Sequence, residues 1–80
     1  MIVLQQIKVL PKGCHVIITD EDRHKIECMK SVFDDSLIFN DVKTSELYYK
    51  VYQTFHVTYI DVEKRDDFYI FYIEVRAWHY

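Results

Sequence analysis

The sequence predicts an α+β fold, in which a small antiparallel sheet of about four to six strands carries one helix packed on a face. Two observations favour it. Residues 68–80 are the part of the chain richest in aromatic and β-branched side chains, and a similar run at 56–63 precedes them. Residues 46–55 instead repeat apolar side chains at helical spacing. If 46–55 were a strand, as its three tyrosines allow, the alternative would be an all-β small barrel.

The N-terminal part predicts a hairpin. Residues 2–10 are rich in Ile, Val and Leu interrupted by polar side chains, which is typical of a strand. Pro11 and Gly13 mark a turn, because Pro fixes φ and Gly tolerates positive φ. Residues 14–19 then predict a second strand.

Residues 20–33 fit two structures. As a helix, they would place Ile26, Met29 and Phe33 on one face. As a turn followed by a strand, they would alternate Ile26, Cys28 and Val32 with polar residues, although Met29 and Lys30 then fall on the wrong faces. We favour the strand, which gives a meander, and expect a further short strand at 37–39.

The predicted helix spans residues 46–55. Thr44 or Ser45 would cap its N-terminus, and Leu47, Val51 and Phe55 would share its apolar face.

The C-terminal part predicts a second hairpin, 56–78, with its loop at 64–67. Side chains alternate between the two faces of a strand. One face of the last strand is apolar and predicts core residues, which are Tyr69, Phe71, Ile73, Val75 and Ala77. The end of the other face carries Tyr72, Glu74, Arg76, Trp78 and Tyr80. A helix covering that face would make Tyr72 and Trp78 core residues instead.

Composition limits the class of protein. Eighty residues predict one domain, 1–80, and the net charge of −3 is spread evenly, which disfavours general nucleic-acid binding. The sequence has no signal-peptide pattern and no apolar run long enough to span a membrane. Cys14 and Cys28 are therefore expected to be free thiols in a cytoplasmic protein without membrane contact.

No pattern predicts a catalytic, cofactor or metal site. A single glycine excludes a glycine-rich phosphate loop. Cys14, His15, His24 and Cys28 do not have the pair spacing of structural zinc ligands. The paired aspartates lie in predicted turns, where Asp bonds local backbone. We therefore expect a non-enzymatic protein without cofactor or metal.

The aromatic and Arg set on the last strand is the one functional signal. Tyr, Trp and Arg dominate binding hot spots, so Tyr72, Glu74, Arg76, Trp78 and Tyr80 predict a partner-binding surface. The expected function is a small protein-interaction module that inhibits or modulates a larger protein. Scarce Ala, Gly and Pro suggest an AT-rich genome, so it could be virus-encoded, for example by a phage.

The sequence leaves three further possibilities. Edge pairing of the C-terminal strand could form a homodimer. The alternative function is a nucleic-acid-binding module using Tyr72, Arg76, Trp78 and Lys64. A third is a small metal- or thiol-dependent enzyme.

Overall fold

The α+β prediction is confirmed. The computed structural model describes residues 1–77. Its elements, in chain order, are helix α1 (Val3–Val9), strands β1 (His15–Thr19), β2 (Lys25–Lys30) and β3 (Leu37–Phe39), helix α2 (Val42–Lys50), a 3₁₀ turn (Tyr52–Thr54), and strands β4 (His56–Lys64) and β5 (Tyr69–Arg76). Within these residues no helix is long and apolar enough to cross a membrane.

The five strands form one sheet in the order β3-β2-β1-β5-β4. Three neighbouring pairs are antiparallel, as predicted, but β1 and β5 run parallel. The cause is the long connection through α2. It carries the chain away from β3 to the far edge of the sheet, and the β4–β5 hairpin then returns β5 to the free side of β1.

The prediction of an N-terminal hairpin is wrong, because residues 3–9 form helix α1 instead of a strand. Val3, Ile7 and Leu10 follow one another at helical spacing and all three are buried. The backbone N–H of Ile2 donates to Gln5 Oε1 at 3.1 Å, which closes the first turn. The fold therefore has two helices, one more than predicted.

Helix α2 begins earlier than predicted. Asp41, not Thr44 or Ser45, is the N-cap, since its carboxylate accepts the backbone N–H of Thr44 at 2.7 Å. The helix buries Tyr48, whereas Leu47 on the predicted apolar face is exposed. Tyr48 thus supplies a contact of α2 with the core, whereas Tyr49 is exposed and Tyr52 is buried from the 3₁₀ turn that follows.

The strand interpretation of residues 20–33 is confirmed for 25–30, and the short strand at 37–39 is also present. A tight turn precedes β2. Asp20 Oδ1 accepts the backbone N–H groups of Asp22 and His24 at 2.9 and 2.8 Å. Arg23 completes the turn with φ of 66°, in the left-handed region.

Both helices pack on the same side of the sheet, and the core lies between the two layers. Its buried side chains are Val3, Ile7, Leu10, Cys14, Val16, Ile18, Ile26, Cys28, Tyr48, Tyr52, Ile73 and Val75. The predicted core face of β5 is confirmed for Ile73 and Val75, and Phe71 is half-buried against the core. Tyr69, near the hairpin loop, is exposed because the helices do not extend that far.

Lys30 is a charged member of the buried layer, with 1% of its side chain exposed. Its ammonium donates to the carbonyl oxygens of Ile7, Lys8 and Leu10 at 2.9, 3.1 and 2.6 Å. The last carbonyls of a helix lack partners within the helix, and they carry its partial negative charge. Lys30 therefore caps the C-terminus of α1 from β2. Asp35 Oδ1 lies 3.5 Å from the same ammonium.

We predict that Lys30→Met will lower the free energy of unfolding by about 2 to 4 kcal/mol, because it removes the ammonium donor from the carbonyl oxygens of Ile7, Lys8 and Leu10. Urea unfolding followed by circular dichroism measures the change. Lys8→Met removes an exposed lysine of α1 and is the matched control, with an expected effect within about 0.5 kcal/mol. Equal effects of the two substitutions would contradict the capping role.

Candidate functional site on the open face of the sheet

One side of the sheet carries no helix, and we call it the open face. The strand register places its residues in rows that run across the strands, because paired residues point to the same side. The row nearest the β4–β5 hairpin loop is Ile38, Met29, His15, Ile70 and Glu63, from β3 through β2, β1 and β5 to β4. Glu63, from β4, is the one carboxylate in this row, and the residues from the other four strands carry no carboxylate.

The other four residues of this row line the floor of a shallow groove of about 470 Å³. The groove is lined chiefly by His15, Ile17, Met29, Ile38, Phe68 and Ile70, and we call these the groove residues. The Phe68 ring stacks on His15 with ring centres 4.3 Å apart. Glu27 is the only carboxylate among the residues that line the groove in the described part of the chain.

The next row is mixed. It consists of Glu27, Ile17, Tyr72 and Asp61. The Tyr72 hydroxyl donates to Glu63 Oε2 at 2.7 Å, and Arg65 Nη2 lies 3.1 Å from the other oxygen of that carboxylate. The hydrogen bond to Glu63 raises the pKa of Tyr72, so Tyr72 stays a neutral donor well above neutral pH. The Tyr72 ring is therefore held in one orientation beside the groove.

The third row is polar and consists of Lys25, Thr19, Glu74 and Tyr59. Arg76 follows at the end of β5, with Nε 3.7 Å from Glu21 Oε2. A depression of about 540 Å³ lies here at the carboxyl ends of β1 and β5, lined by charges of both signs. The open face therefore changes from apolar to charged along the direction of β1 and β5.

The structure leaves the predicted site residues on this face without a covering helix. Tyr72 is half-buried by its neighbours, while Glu74 and Arg76 are exposed. They occupy successive positions on one side of β5, as alternation predicts. Trp78 and Tyr80 lie outside the described residues.

The sequence did not predict the groove residues as a site. They come from four strands and one loop, and only the register of the sheet, including the parallel pair, brings them together. One signal was present: Phe68 and Ile70 share the parity of Tyr72 and are apolar. In the structure both side chains are half-buried on the open face.

Within residues 1–77, the histidines and cysteines do not converge on one site. Cys14 and Cys28 are buried free thiols on the helix side of the sheet, while His15 lies on the open face. Among residues 1–77, the one group with metal-ligand chemistry is Asp20, Asp22 and His24. Asp20 already accepts two backbone N–H groups there and the hydroxyl of Tyr52 at 2.6 Å. These hydrogen bonds explain why the three side chains lie together. Residues 20–24 form the turn after β1, and Asp20 connects this turn to Tyr52 in the helical layer.

The position of β5 bears on the predicted homodimer. Ile70–Glu74 pair with β1 on one side and with β4 on the other, so this part of β5 has no free edge. At the β4 edge, the Val57 N–H donates to the Met1 carbonyl, and Asp61 Oδ1 accepts the N–H of Val62. An irregularity in pairing at Val57/Tyr59 also disturbs that edge. Pairing of two copies through β4 would have to displace these contacts.

No protein-family model, no curated protein and no solved structure matches this chain.

We predict that Tyr52→Phe will reduce the stability lost on acidification. Burial raises the pKa of Asp20, but hydrogen bonds from Tyr52 and two backbone N–H groups outweigh it and leave the pKa below its ordinary value. The stabilisation by ionised Asp20 is therefore present above pH ~4 and is lost as the pH falls through the lowered pKa.

At neutral pH, Tyr52→Phe should cost about 1 to 2 kcal/mol of unfolding free energy, and this difference should shrink toward pH ~3. Urea unfolding at a series of pH values measures both effects. Tyr49→Phe changes an exposed tyrosine and should leave the pH dependence as it is. A pH-independent difference for Tyr52→Phe would show that the bond to Asp20 is not its cause.

We predict that both native thiols will be inert to a thiol reagent at mildly alkaline pH. Burial raises the pKa of Cys28 to about 12 and raises the pKa of Cys14 in the same direction, so little thiolate forms. Both should react only after unfolding in guanidinium chloride. A thiol introduced at an exposed position by Thr54→Cys should react at least about tenfold faster. Rapid reaction of Cys28 in the native protein would contradict this prediction and favour the alternative of a thiol-dependent enzyme.

Proposed function

We propose that this protein is a small non-enzymatic interaction module that binds a larger protein through the open face and thereby inhibits or modulates it. The observation that carries the proposal is the groove at the apolar end of that face. Its residues remain partly exposed because both helices pack on the other side. Partly exposed apolar surface beside polar groups is typical of protein-binding sites.

The charges on the face indicate how the partner is oriented. Glu27, Asp61 and Glu63 border the apolar end, while Lys25 and Arg76 stand at the other end. A complementary partner presents an apolar ridge with Lys or Arg beside it, and a carboxylate about where the ridge ends. Complementary charges fix orientation and speed association more than they increase affinity.

The same charges disfavour nucleic acid. A nucleic-acid surface combines stacking aromatic rings with an excess of cations. Here the rings of Tyr72 and Tyr59 stand in rows that also contain Asp61, Glu27 and Glu74. Carboxylates at this density repel phosphate, so the protein-binding function is the better supported of the two.

The predicted residues on β5 keep a role in the proposal. Tyr72, Glu74 and Arg76 form the polar half of the surface, adjacent to the groove residues. The surface is therefore broader than the last strand. It spans β1, β2, β3 and β5, and its apolar half is expected to supply most of the affinity.

We predict that Met29→Thr combined with Ile70→Thr will weaken binding to the partner. Both side chains are half-buried on the open face, and Thr retains the preference for a strand while removing apolar surface. Tagged wild-type protein is used to capture partners from a lysate of the source cells. The purified partner is then titrated by calorimetry, where the affinity should fall at least about tenfold.

Leu47→Gln, an exposed change on α2, is the matched control and should bind within about twofold of wild type. Tyr72→Ala with Arg76→Ala tests the polar half separately. A partner that binds the groove variant and the control equally would rule out the open face. Anisotropy with a labelled single-stranded oligonucleotide at low salt should show no binding at micromolar protein. Binding there that the groove variant abolishes would favour the nucleic-acid alternative.

A further inference from the structure

The loop between β2 and β3 presents an apolar side chain that the fold does not use. Phe33 is 89% exposed, the highest value among the large apolar residues that the structure describes, and its neighbour Val32 is also exposed. Burial of a Phe side chain stabilises by about 1.5 to 3 kcal/mol, and Phe33 forgoes almost all of it. The fold therefore gains little stability from the Phe33 side chain.

Hydrogen bonds within residues 31–36 hold the loop that carries Phe33. The Ser31 N–H donates to the Ser36 carbonyl at 2.9 Å, which closes the loop. Ser31 Oγ accepts the N–H of Phe33 itself at 3.1 Å. Asp34 Oδ1 accepts from both the backbone N–H and the hydroxyl of Ser36. Phe33 is therefore displayed from an ordered backbone, and a partner would not have to order the loop on binding.

The loop is also joined to the core. Ser31 is buried at its first position. Asp35 lies 3.5 Å from the buried ammonium of Lys30, which caps α1. The base of the loop thus lies against the buried ammonium that caps α1.

The charge beside Phe33 is acidic. Asp34 and Asp35 follow it directly in the chain, and both are exposed. Hydrogen bonds from the hydroxyl and backbone N–H of Ser36 hold the pKa of Asp34 below its ordinary value, with a smaller contribution from the charge of Lys12. The Asp34 carboxylate is therefore ionised at neutral pH.

We propose that the β2–β3 loop is a second contact site, in which Phe33 inserts into an apolar pocket bordered by Lys or Arg side chains on a partner protein. An aromatic anchor in a desolvated pocket is a typical hot spot, and the cations would meet Asp34 and Asp35. The site does not include the open face, so it stands or falls separately from the proposed function.

The chemistry is tested with a defined probe. Amino-substituted β-cyclodextrin has an apolar cavity rimmed by ammonium groups, and unsubstituted β-cyclodextrin has the same cavity without charge. Each is titrated into the full chain, and NMR follows the Phe33 ring and the amides of residues 31–36. We expect the cationic host to bind at the loop and more tightly than the neutral one, with an advantage that falls as salt is added.

Four variants make the test specific. Phe33→Ser should weaken the cationic host at least about tenfold. Val42→Ser, another exposed apolar residue, and Met29→Thr with Ile70→Thr on the open face should both stay within about twofold of wild type. Asp34→Asn keeps the oxygen that accepts from Ser36 and should lose most of the advantage of the cationic host. Equal binding of Phe33→Ser and Val42→Ser, or equal affinity of the two hosts, would overturn the proposal.

The partner is tested with benzoylphenylalanine, a photoreactive aromatic residue, placed at position 33 or, as control, at position 42. After irradiation in a source-cell lysate, the adduct specific to position 33 should map to an apolar pocket with Lys or Arg at its border. Phe33→Ser should weaken the purified partner at least about tenfold. The absence of a position-specific adduct, an adduct on a surface without cations, or a second copy of this chain as the adduct would each contradict the proposal.

Discussion

The structure depends on one buried ammonium. Lys30 is the last residue of β2, and its ammonium donates to carbonyl oxygens at the C-terminus of α1. It therefore holds the end of the helix against the sheet. Burying this ammonium has a desolvation cost, because protein acceptors must replace the water molecules that would otherwise accept its hydrogen bonds. Three carbonyl oxygens of a helix C-terminus meet that need, and they in turn need a donor. A short helix of seven residues, marginal by itself, is thereby held in one position.

The distribution of the helices creates the open face. α1 and α2 both lie on one side, where they bury Val16, Ile18 and Ile73. A sheet of five strands with one bare side must leave some apolar area in contact with water, because the strands at its centre remain rich in β-branched residues. The chain confines this area to the end near the hairpin loop and makes the other end charged. The apolar and the charged side chains are thus separated along the same face.

Local signals in the sequence were enough for the C-terminal hairpin, β1 and β3, because each is a run of β-forming residues between turn residues. They failed for α1, where seven residues with apolar side chains at close intervals fit either period. They also failed for Lys30, which interrupts the expected alternation of β2. Its burial depends on a helix that is distant in sequence. The groove has no local signature, since Met29, Ile38 and Ile70 meet only through the pairing of strands.

The central place of β5 has a consequence for how the chain acquires its structure. The first three strands can associate as soon as they are made, because β1, β2 and β3 are neighbours in sequence and in space. β4 has no partner among them, and its only strand neighbour in the sheet is β5. The sheet is therefore divided until β5 has been synthesised and has entered between β1 and β4, a pairing that closes a long loop. Until β5 enters, the edges of β1 and β4 that it later pairs have no strand partner, and such edges favour aggregation while the chain folds.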